Sequence, residues 1–294
     1  MTREEMIEKA RETRKQVTNA PVSEELLNKY PAEVKEMNIP GRDGDIHCYL
    51  SENKDRQDNS DVLFINFHGG GFIRERTPND EVFCRRMNGA LGCKVLDLDY
   101  KIAPDYPYPT AVHEAIDTVK WAFEHAGELG VSKDKIVLAG HSAGGNLAIG
   151  VVMKALEEGS FKPTLLIADY PPLDLYTDPG EKKSMGKGIP AERARLYNLY
   201  YCDRDRQKEP YASPAYASDE MLKGFPKSLI MTAGTDDLCN EAEEFALRLA
   251  RNGNEVTLKR FLNAKHGFTI YRTEGCDEAI ELITRFVRNG LNIQ

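Results

Sequence analysis

The sequence contains no long apolar run. No stretch approaches the roughly 18 consecutive apolar residues that a membrane-spanning helix needs. Residues 1–6 are charged and lack the apolar core of a signal peptide. We therefore expect a chain without a membrane span that is located in the cytoplasm.

The chain also lacks an excess of positive charge. It carries 39 lysines and arginines against 47 aspartates and glutamates, a formal net charge of −8. A protein whose main partner is nucleic acid usually has the opposite balance. The composition therefore argues against nucleic acid as the main partner.

Cysteine clusters and phosphate-binding loops are absent as well. None of the six cysteines forms a C-x-x-C pair, so neither a zinc cluster nor a disulfide scaffold is predicted. We expect reduced, mostly buried thiols and no metal site. Neither G-x-x-x-x-G-K-[ST] nor G-x-G-x-x-G occurs, and no cofactor is predicted.

What is present is a regular alternation of short apolar segments and longer amphipathic ones. The apolar segments predict eight strands, at 32–39, 45–50, 62–67, 94–98, 135–139, 164–168, 228–232 and 255–262. The other segments predict helices at 3–18, 22–30, 79–91, 110–126, 146–153, 191–202, 240–252 and 277–289. Such alternation is typical of an α/β protein with a mostly parallel sheet covered by helices on both faces.

One connection is far longer than the others. Residues 173–222 separate two predicted strands and contain one predicted helix. Because so long a connection usually carries function, we interpret it as a lid, together with the N-terminal helices. Its aromatic-rich run could line a modest hydrophobic pocket or simply pack, and comprises Leu196, Tyr197, Leu199, Tyr200 and Tyr201.

A candidate nucleophile lies between a predicted strand and helix, in Gly140-His141-Ser142-Ala143-Gly144-Gly145. G-x-S-x-G in this context is the nucleophile elbow, a sharp turn that exposes the serine oxygen at the end of the sheet. The small neighbouring residues let strand and helix approach closely. We predict Ser142 as the nucleophile.

A serine nucleophile needs a histidine base, and the base needs an acid to orient it. In the elbow architecture the chain order is serine, acid, histidine. His266 is the only histidine that follows Ser142, in a loop after the last predicted strand. The strand at 228–232 leads to Asp236 and Asp237, one of which could instead cap a helix. Spacing does not choose between these two, and Asp169 is a weaker third candidate.

An acyl-transfer site also needs donors for the oxyanion, and backbone N–H groups serve well because they are already in place. His68-Gly69-Gly70-Gly71-Phe72 follows a predicted strand, and its glycines allow successive N–H groups to converge. The N–H of Ala143 is the other expected donor. The alternatives are a flexible loop or a phosphate-binding loop.

Together, these motifs resemble the hormone-sensitive-lipase-like branch of the α/β-hydrolases. Two further segments are similar to that family, Asp99-Tyr100-Lys101-Ile102-Ala103-Pro104-Asp105 and Tyr211-Ala212-Ser213-Pro214. The resemblance covers about residues 45–290 and follows the family's order. It implies the α/β-hydrolase fold with a small helical cap. Residues 1–44 would then supply N-terminal helices and the first strand, and 45–294 the catalytic domain.

The resemblance also assigns roles. The family's acid stands in an Asp-Pro-Leu context, which selects Asp236 and places Asp237 where proline is common. The oxyanion donors fall on Gly70, Gly71 and Ala143, and His68 with Gly69 would order the glycine loop. His141 departs from the family, which often has aspartate there.

The resulting hypothesis is a serine carboxylesterase that acts on small, short-chain acyl esters. Amide or peptide hydrolysis by the same three residues is the alternative within enzymes. A non-catalytic binding protein of the same fold is the alternative outside them, and a long-chain lipase is less favoured because no long apolar lid is present. The last helix or an edge strand could pair two copies into a homodimer.

Overall fold

An eight-stranded sheet in the order β1-β2-β4-β3-β5-β6-β7-β8 forms the centre of the computed structural model. The structure describes residues 3–16, 22–53, 55–56 and 58–293. The strands are Glu33–Ile39 (β1), Ile46–Glu52 (β2), Leu63–Phe67 (β3), Lys94–Asp99 (β4), Ile136–His141 (β5), Leu165–Asp169 (β6), Lys227–Ala233 (β7) and Val256–Phe261 (β8). The strand pairs β1–β2 and β2–β4 are antiparallel, and all others are parallel. The predicted, mostly parallel eight-stranded sheet is confirmed.

The helices are Arg3–Gln16 (α1), Glu24–Asn28 (α2), Pro78–Leu91 (α3), Thr110–Glu124 (α4), Ala126–Leu129 (α5), Ala143–Glu158 (α6), Ala191–Tyr201 (α7), Cys239–Arg251 (α8) and Cys276–Leu291 (α9). The second helix begins after Ser23, whose hydroxyl accepts a hydrogen bond from the Leu26 N–H at 3.2 Å. The helix predicted at 110–126 is broken at His125. Positions 17 and 18 of the first predicted helix lie outside the described residues.

Two apolar layers cover the sheet, as predicted. In β3, Leu63, Ile65 and Phe67 contribute to the layer that includes α4, α6 and α8, whereas Phe64 contributes to the layer that includes α3 and α9. Every residue of β3, β5 and β6 is buried because helices cover both faces of these central strands.

The edges and the long connection complete the architecture. The outermost strands are β1 and β8, and pairing of two copies through an edge stays a prediction. The connection between β6 and β7 carries α7, and α1 contacts α7. The interpretation of this segment as a cap, and the division into residues 1–44 and 45–294, also stay predictions. Because parallel strands share a direction, the carboxyl ends of β3, β5, β6, β7 and β8 meet at one edge of the sheet.

Candidate active site

Ser142 occupies a strained turn between β5 and α6. Its backbone has φ 52° and ψ −120°, in a region that residues other than glycine rarely adopt. The Ser142 N–H donates to the carbonyl of Asp169 at the end of β6, at 2.8 Å. This bond holds the turn against the neighbouring strand, so the strain is maintained by the sheet itself.

The glycines around Ser142 are required by close backbone contacts. A Cβ atom on Gly140 would lie 2.7 Å from the nitrogen of Gly145. A Cβ atom on Gly144 would lie 2.6 Å from the carbonyl oxygen of His68. Both distances are far below normal contact, so α6 packs against β5 and the glycine loop only because these side chains are missing.

Three of the predicted residues form a hydrogen-bonded relay. The Ser142 hydroxyl lies 2.9 Å from His266 Nε2, and His266 Nδ1 lies 2.6 Å from Asp236 Oδ2. Asp236 is fully buried. With Nδ1 protonated and donating to Asp236, Nε2 is free to accept the serine proton, which is the tautomer that base catalysis requires.

The two neighbouring aspartates after β7 face different parts of the molecule. Asp236 contacts His266, as described above. Asp237 Oδ1 instead accepts a hydrogen bond from the Met185 N–H at 2.5 Å. Its carboxyl group also packs against Gly188, where an added Cβ would lie 2.7 Å from the carboxyl carbon. Asp237 therefore anchors the connection between β6 and β7 to the loop that carries Asp236.

Asp169, the third candidate acid, contacts a different histidine. Its Oδ2 lies 3.2 Å from His141 Nδ1 and accepts a 2.6 Å hydrogen bond from the Thr269 hydroxyl. Thr269 also lies 2.7 Å from the Tyr170 hydroxyl, and the Tyr170 ring packs edge-on against His266 at 4.9 Å. His141 and Asp169 thus form a second, buried imidazole–carboxylate pair, which Thr269 and Tyr170 connect to His266.

This pair was missed in the sequence, although a signal for it exists. His141 and Asp169 are opposite each other in the parallel pairing of β5 and β6, at the last residue of each strand. Two polar residues at the ends of adjacent apolar strands are expected to contact one another. Because Asp169 links the residue before Ser142 to Thr269, which follows His266 by three positions, it is placed to hold the two loops in register.

The pH dependence of stability tests this pair. Burial raises the pKa of the Asp169 carboxyl, and the hydrogen bond from His141 and its charge oppose that rise. The pKa of an aspartate in the unfolded chain is about 3.9. Because the folded pKa of Asp169 is higher, its contribution to the free energy of unfolding is complete below about pH 3.9 and is lost as the pH rises through the folded pKa. Asp169→Asn removes this titration. The free energy of unfolding of the unmodified chain, relative to Asp169→Asn, should therefore fall as the pH rises above about 4 in urea titrations. Parallel pH curves for the two proteins would contradict the prediction.

The glycine loop after β3 presents backbone donors beside Ser142. Gly70 and Gly71 have φ values of 120° and 62°, which favour glycine. Within the described part of the chain, their N–H groups donate no hydrogen bond. Ala143 is the first residue of α6, so its N–H has no acceptor within the helix. These three donors are the ones predicted for an oxyanion.

His68 packs inside this loop rather than at its surface. Its ring is buried and stacks on the Tyr100 ring, with 4.1 Å between the ring centroids. His68 Nδ1 donates to the carbonyl of Gly69 at 2.7 Å, and the Tyr100 hydroxyl donates to the carbonyl of His68 at 3.0 Å. His68 therefore contacts both the glycine loop and Tyr100, and its role in ordering the loop stays a prediction.

Buried polar groups attach the β6–β7 connection to the rest of the molecule. The Asn146 side chain donates 2.9 Å hydrogen bonds to the carbonyls of Pro172 and Ala212. Lys182 Nζ lies 2.5 Å from Glu241 Oε2, and both side chains are almost fully covered. Burial raises the pKa of Glu241. The connection is therefore anchored from inside the protein and not only at its ends.

The aromatic run of α7 divides between packing and the site. Tyr201 is buried and stacks on Phe72 with 3.7 Å between ring centroids, and Tyr200 is buried as well. Tyr197 instead lies over the glycine loop, where a Cβ on Gly71 would be 2.9 Å from a carbon of its ring. Plain packing explains most of the run, and Tyr197 is the member that reaches Ser142's surroundings.

Two cavities of unequal size meet at Ser142. The large chamber has a volume of about 430 Å³ and is lined by His266, Lys265, Gly267 and Tyr271, among others. The small chamber has a volume of about 50 Å³ and is lined by residues that include Pro172, Leu175, Asn198 and Leu238. Gly71, Ile189 and Tyr197 line both chambers. Tyr197 therefore lies at the boundary between them.

Features of metal centres and of membrane spans are absent from the described residues. Within them, no group of three or more histidine, cysteine, aspartate or glutamate side chains is placed to hold a metal ion. All six cysteines are buried and free of disulfides, so the predicted burial of the thiols is confirmed. None of the described helices has the length and apolarity needed to cross a membrane.

Comparison with known proteins adds independent findings. A model of the family described as the alpha/beta hydrolase fold matches residues 64–270. An arylesterase of Saccharolobus solfataricus is 30% identical over 80% of this chain and 77% of its own length. Human hormone-sensitive lipase is 37% identical over 37% of this chain and 10% of its own. Among four such relatives, the chain spans between 60% and 77% of the relative's length.

A solved structure is similar over the full chain. A hyperthermophilic esterase from the archaeon Pyrobaculum calidifontis matches with a TM-score of 0.83 and 27% identity, covering 100% of this chain and 95% of that one. The aligned part therefore extends beyond the sheet to the β6–β7 connection.

Proposed function

The chain belongs to the hormone-sensitive-lipase-like branch of the α/β-hydrolase family and is a carboxylic ester hydrolase, and from this premise we propose that it cleaves short-chain acyl esters through a serine acyl-enzyme. The observation that carries the proposal is the relay from Ser142 through His266 to the buried Asp236, with 2.9 Å and 2.6 Å contacts. This geometry is the one a serine nucleophile requires.

The first half of the reaction forms the acyl-enzyme. Ser142 Oγ attacks the ester carbonyl carbon as its proton passes to His266 Nε2. The carbonyl oxygen becomes negative and receives hydrogen bonds from the N–H groups of Gly70, Gly71 and Ala143. When the tetrahedral intermediate collapses, the bond to the alcohol oxygen breaks and His266 returns the proton to that oxygen.

The second half regenerates the enzyme. A water molecule takes the place of the alcohol, His266 removes its proton, and the hydroxide attacks the acyl carbon. Collapse releases the acid and returns the proton from His266 to Ser142 Oγ, so one ester and one water become one acid and one alcohol. Asp236 stays ionised and stabilises the imidazolium in both halves.

The two chambers take different parts of the ester. The leaving alcohol must lie beside His266 to receive its proton, and His266 with its neighbours Lys265 and Gly267 lines the large chamber. The acyl group then points into the small chamber, whose lining does not include these three residues. A cavity of about 50 Å³ supports a preference for short acyl chains.

A chain-length series tests this assignment. With p-nitrophenyl esters of two to twelve carbons, kcat/KM should be highest for the shortest acyl groups and should fall by about tenfold or more by eight carbons, because each extra methylene must displace packed side chains. Tyr197→Ala opens the boundary between the chambers and should raise the eight-carbon rate relative to the two-carbon rate. Tyr106→Ala is the matched control, since Tyr106 is exposed and lines neither chamber.

Two results would count against the assignment. A flat or rising series in the unmodified enzyme would contradict the short acyl chamber. An equal change of the eight-carbon to two-carbon ratio in Tyr197→Ala and Tyr106→Ala would show that Tyr197 does not limit chain length.

A further inference from the structure

We propose that the large chamber binds alcohol groups that carry a negative charge, so that the preferred substrates are short-chain esters of anionic alcohols such as those bearing a carboxylate or phosphate. This inference rests on the proposed function, because it assigns the chemistry of the leaving group. It is carried by the charged side chains that line the large chamber, three of which form no ion pair with any described residue.

Four cationic side chains from three separate segments converge on the large chamber. Arg74 comes from the loop after β3, Lys187 and Arg193 from the β6–β7 connection, and Lys265 from the residue before His266. The chain as a whole carries a net charge of −8. A concentration of positive charge at the entrance to one cavity therefore runs against the composition of the protein, and it attracts anions into that cavity.

The two carboxylates of the chamber offset these cations only in part. Asp80 is buried, and its Oδ2 accepts hydrogen bonds from the Thr77 N–H at 2.8 Å and from the Thr77 hydroxyl at 2.6 Å. These bonds, together with the N-terminus of α3, already compensate its charge. Glu75 is exposed. Cations remain in excess over the carboxylates that line the cavity.

Two cations of the same connection that do not line the chamber form ion pairs. Arg195 lies 2.7 Å from Asp178, and Lys182 lies 2.5 Å from Glu241. In contrast, Lys187, Arg193 and Lys265 form no ion pair with any residue that the structure describes. These three cations beside the cavity therefore have no carboxylate partner among the described residues, and a ligand with negative charge would supply one.

The charge of these residues reaches the interior of the site. Burial raises the pKa of the Tyr197 hydroxyl, and the positive charges of Arg193 and Arg74 oppose that rise. Tyr197 borders both chambers at Ser142. An anionic alcohol held beside Tyr197 would therefore lie in the field of two arginines while its oxygen contacts His266.

Matched esters that differ in charge test the inference. The substrates are methyl 4-acetoxybenzoate, 4-acetoxybenzoate and 4-acetoxyphenyl phosphate, whose alcohol groups are neutral, singly and doubly charged. Lys187→Gln, Arg193→Gln and Lys265→Gln should each lower the anionic-to-neutral ratio of kcat/KM by about two- to fivefold, as expected for partly solvated charge pairs. The effect should be larger for the phosphate. Raising the salt from about 20 mM to about 500 mM should lower the ratio in the unmodified enzyme.

Lys133→Gln is the control for loss of charge alone. Lys133 is exposed and precedes β5, at the opposite end of that strand from Ser142. Its ratio should equal that of the unmodified enzyme. Two results would overturn the inference while leaving the esterase activity intact. One is the same change of ratio in Lys133→Gln as in the chamber variants. The other is no change of ratio in the triple variant, which combines Lys187→Gln, Arg193→Gln and Lys265→Gln.

A binding measurement keeps the inference separate from catalysis. Ser142→Ala protein should bind 4-hydroxybenzoate more tightly than methyl 4-hydroxybenzoate in calorimetry, and the triple variant should lose this difference. If no ester is turned over, the proposed function fails, and the binding result alone decides whether the chamber prefers anions. Equal binding of the two alcohols would overturn the inference.

Discussion

Ser142→Ala is expected to lower kcat for p-nitrophenyl acetate by about ten thousand-fold or more, because the only proposed nucleophile is removed while the rest of the site stays in place. The Ser142 hydroxyl is the atom that contacts His266, at 2.9 Å. The N–H donors of Gly70, Gly71 and Ala143 do not depend on it. Residual activity should therefore remain above the uncatalysed rate, and a fluorophosphonate probe should label the unmodified enzyme but not the variant.

The turn at Ser142 provides a second variant for the same experiment. Because its φ of 52° favours glycine, Ser142→Gly removes the nucleophile without adding strain. Both variants should show only this residual activity, and urea unfolding should show that both are folded. Turnover within about tenfold of the unmodified enzyme in either purified variant would refute the role of Ser142.

Asp236→Asn should lower kcat by about a thousand- to ten thousand-fold, whereas Asp237→Asn should lower it by less than about tenfold. Asparagine at position 236 can donate to His266 Nδ1, which favours the tautomer in which Nε2 is protonated and cannot accept the serine proton. Asp237 makes no contact of this kind, since its carboxyl accepts from the Met185 N–H at 2.5 Å. Separate kcat and KM values for each variant measure the difference.

The two aspartate variants should also differ in what they do to binding. Asp237→Asn weakens the attachment of the β6–β7 connection, which lines both chambers, so its effect should fall mainly on KM. Asp236→Asn should change kcat with little change in KM. A large loss of kcat in Asp237→Asn together with a nearly normal Asp236→Asn would reverse the assignment of the acid.

Much of the fold follows from local patterns. All eight predicted strands are present, and their ends differ from prediction by at most two residues, because a run of apolar residues between turn residues is itself the determinant of a buried strand. The break at His125 was not predicted, since no proline or glycine precedes it and the apolar pattern continues through it. His266 as the partner of Ser142 follows from chain order alone, because no other histidine lies downstream.

The sequence by itself therefore determines the sheet, the turn at Ser142, the glycine loop and the histidine, since each is written in a few consecutive residues or in their order along the chain. Spacing leaves Asp236 and Asp237 equal and the family resemblance favours Asp236, but the tertiary structure is what places the Asp236 carboxyl against His266. Only the tertiary structure pairs His141 with Asp169 and separates Tyr197 from Tyr201. These outcomes depend on the direction in which neighbouring side chains point. They also depend on contacts between residues that are far apart in the chain, and the size of the two chambers at Ser142 is decided by the same contacts.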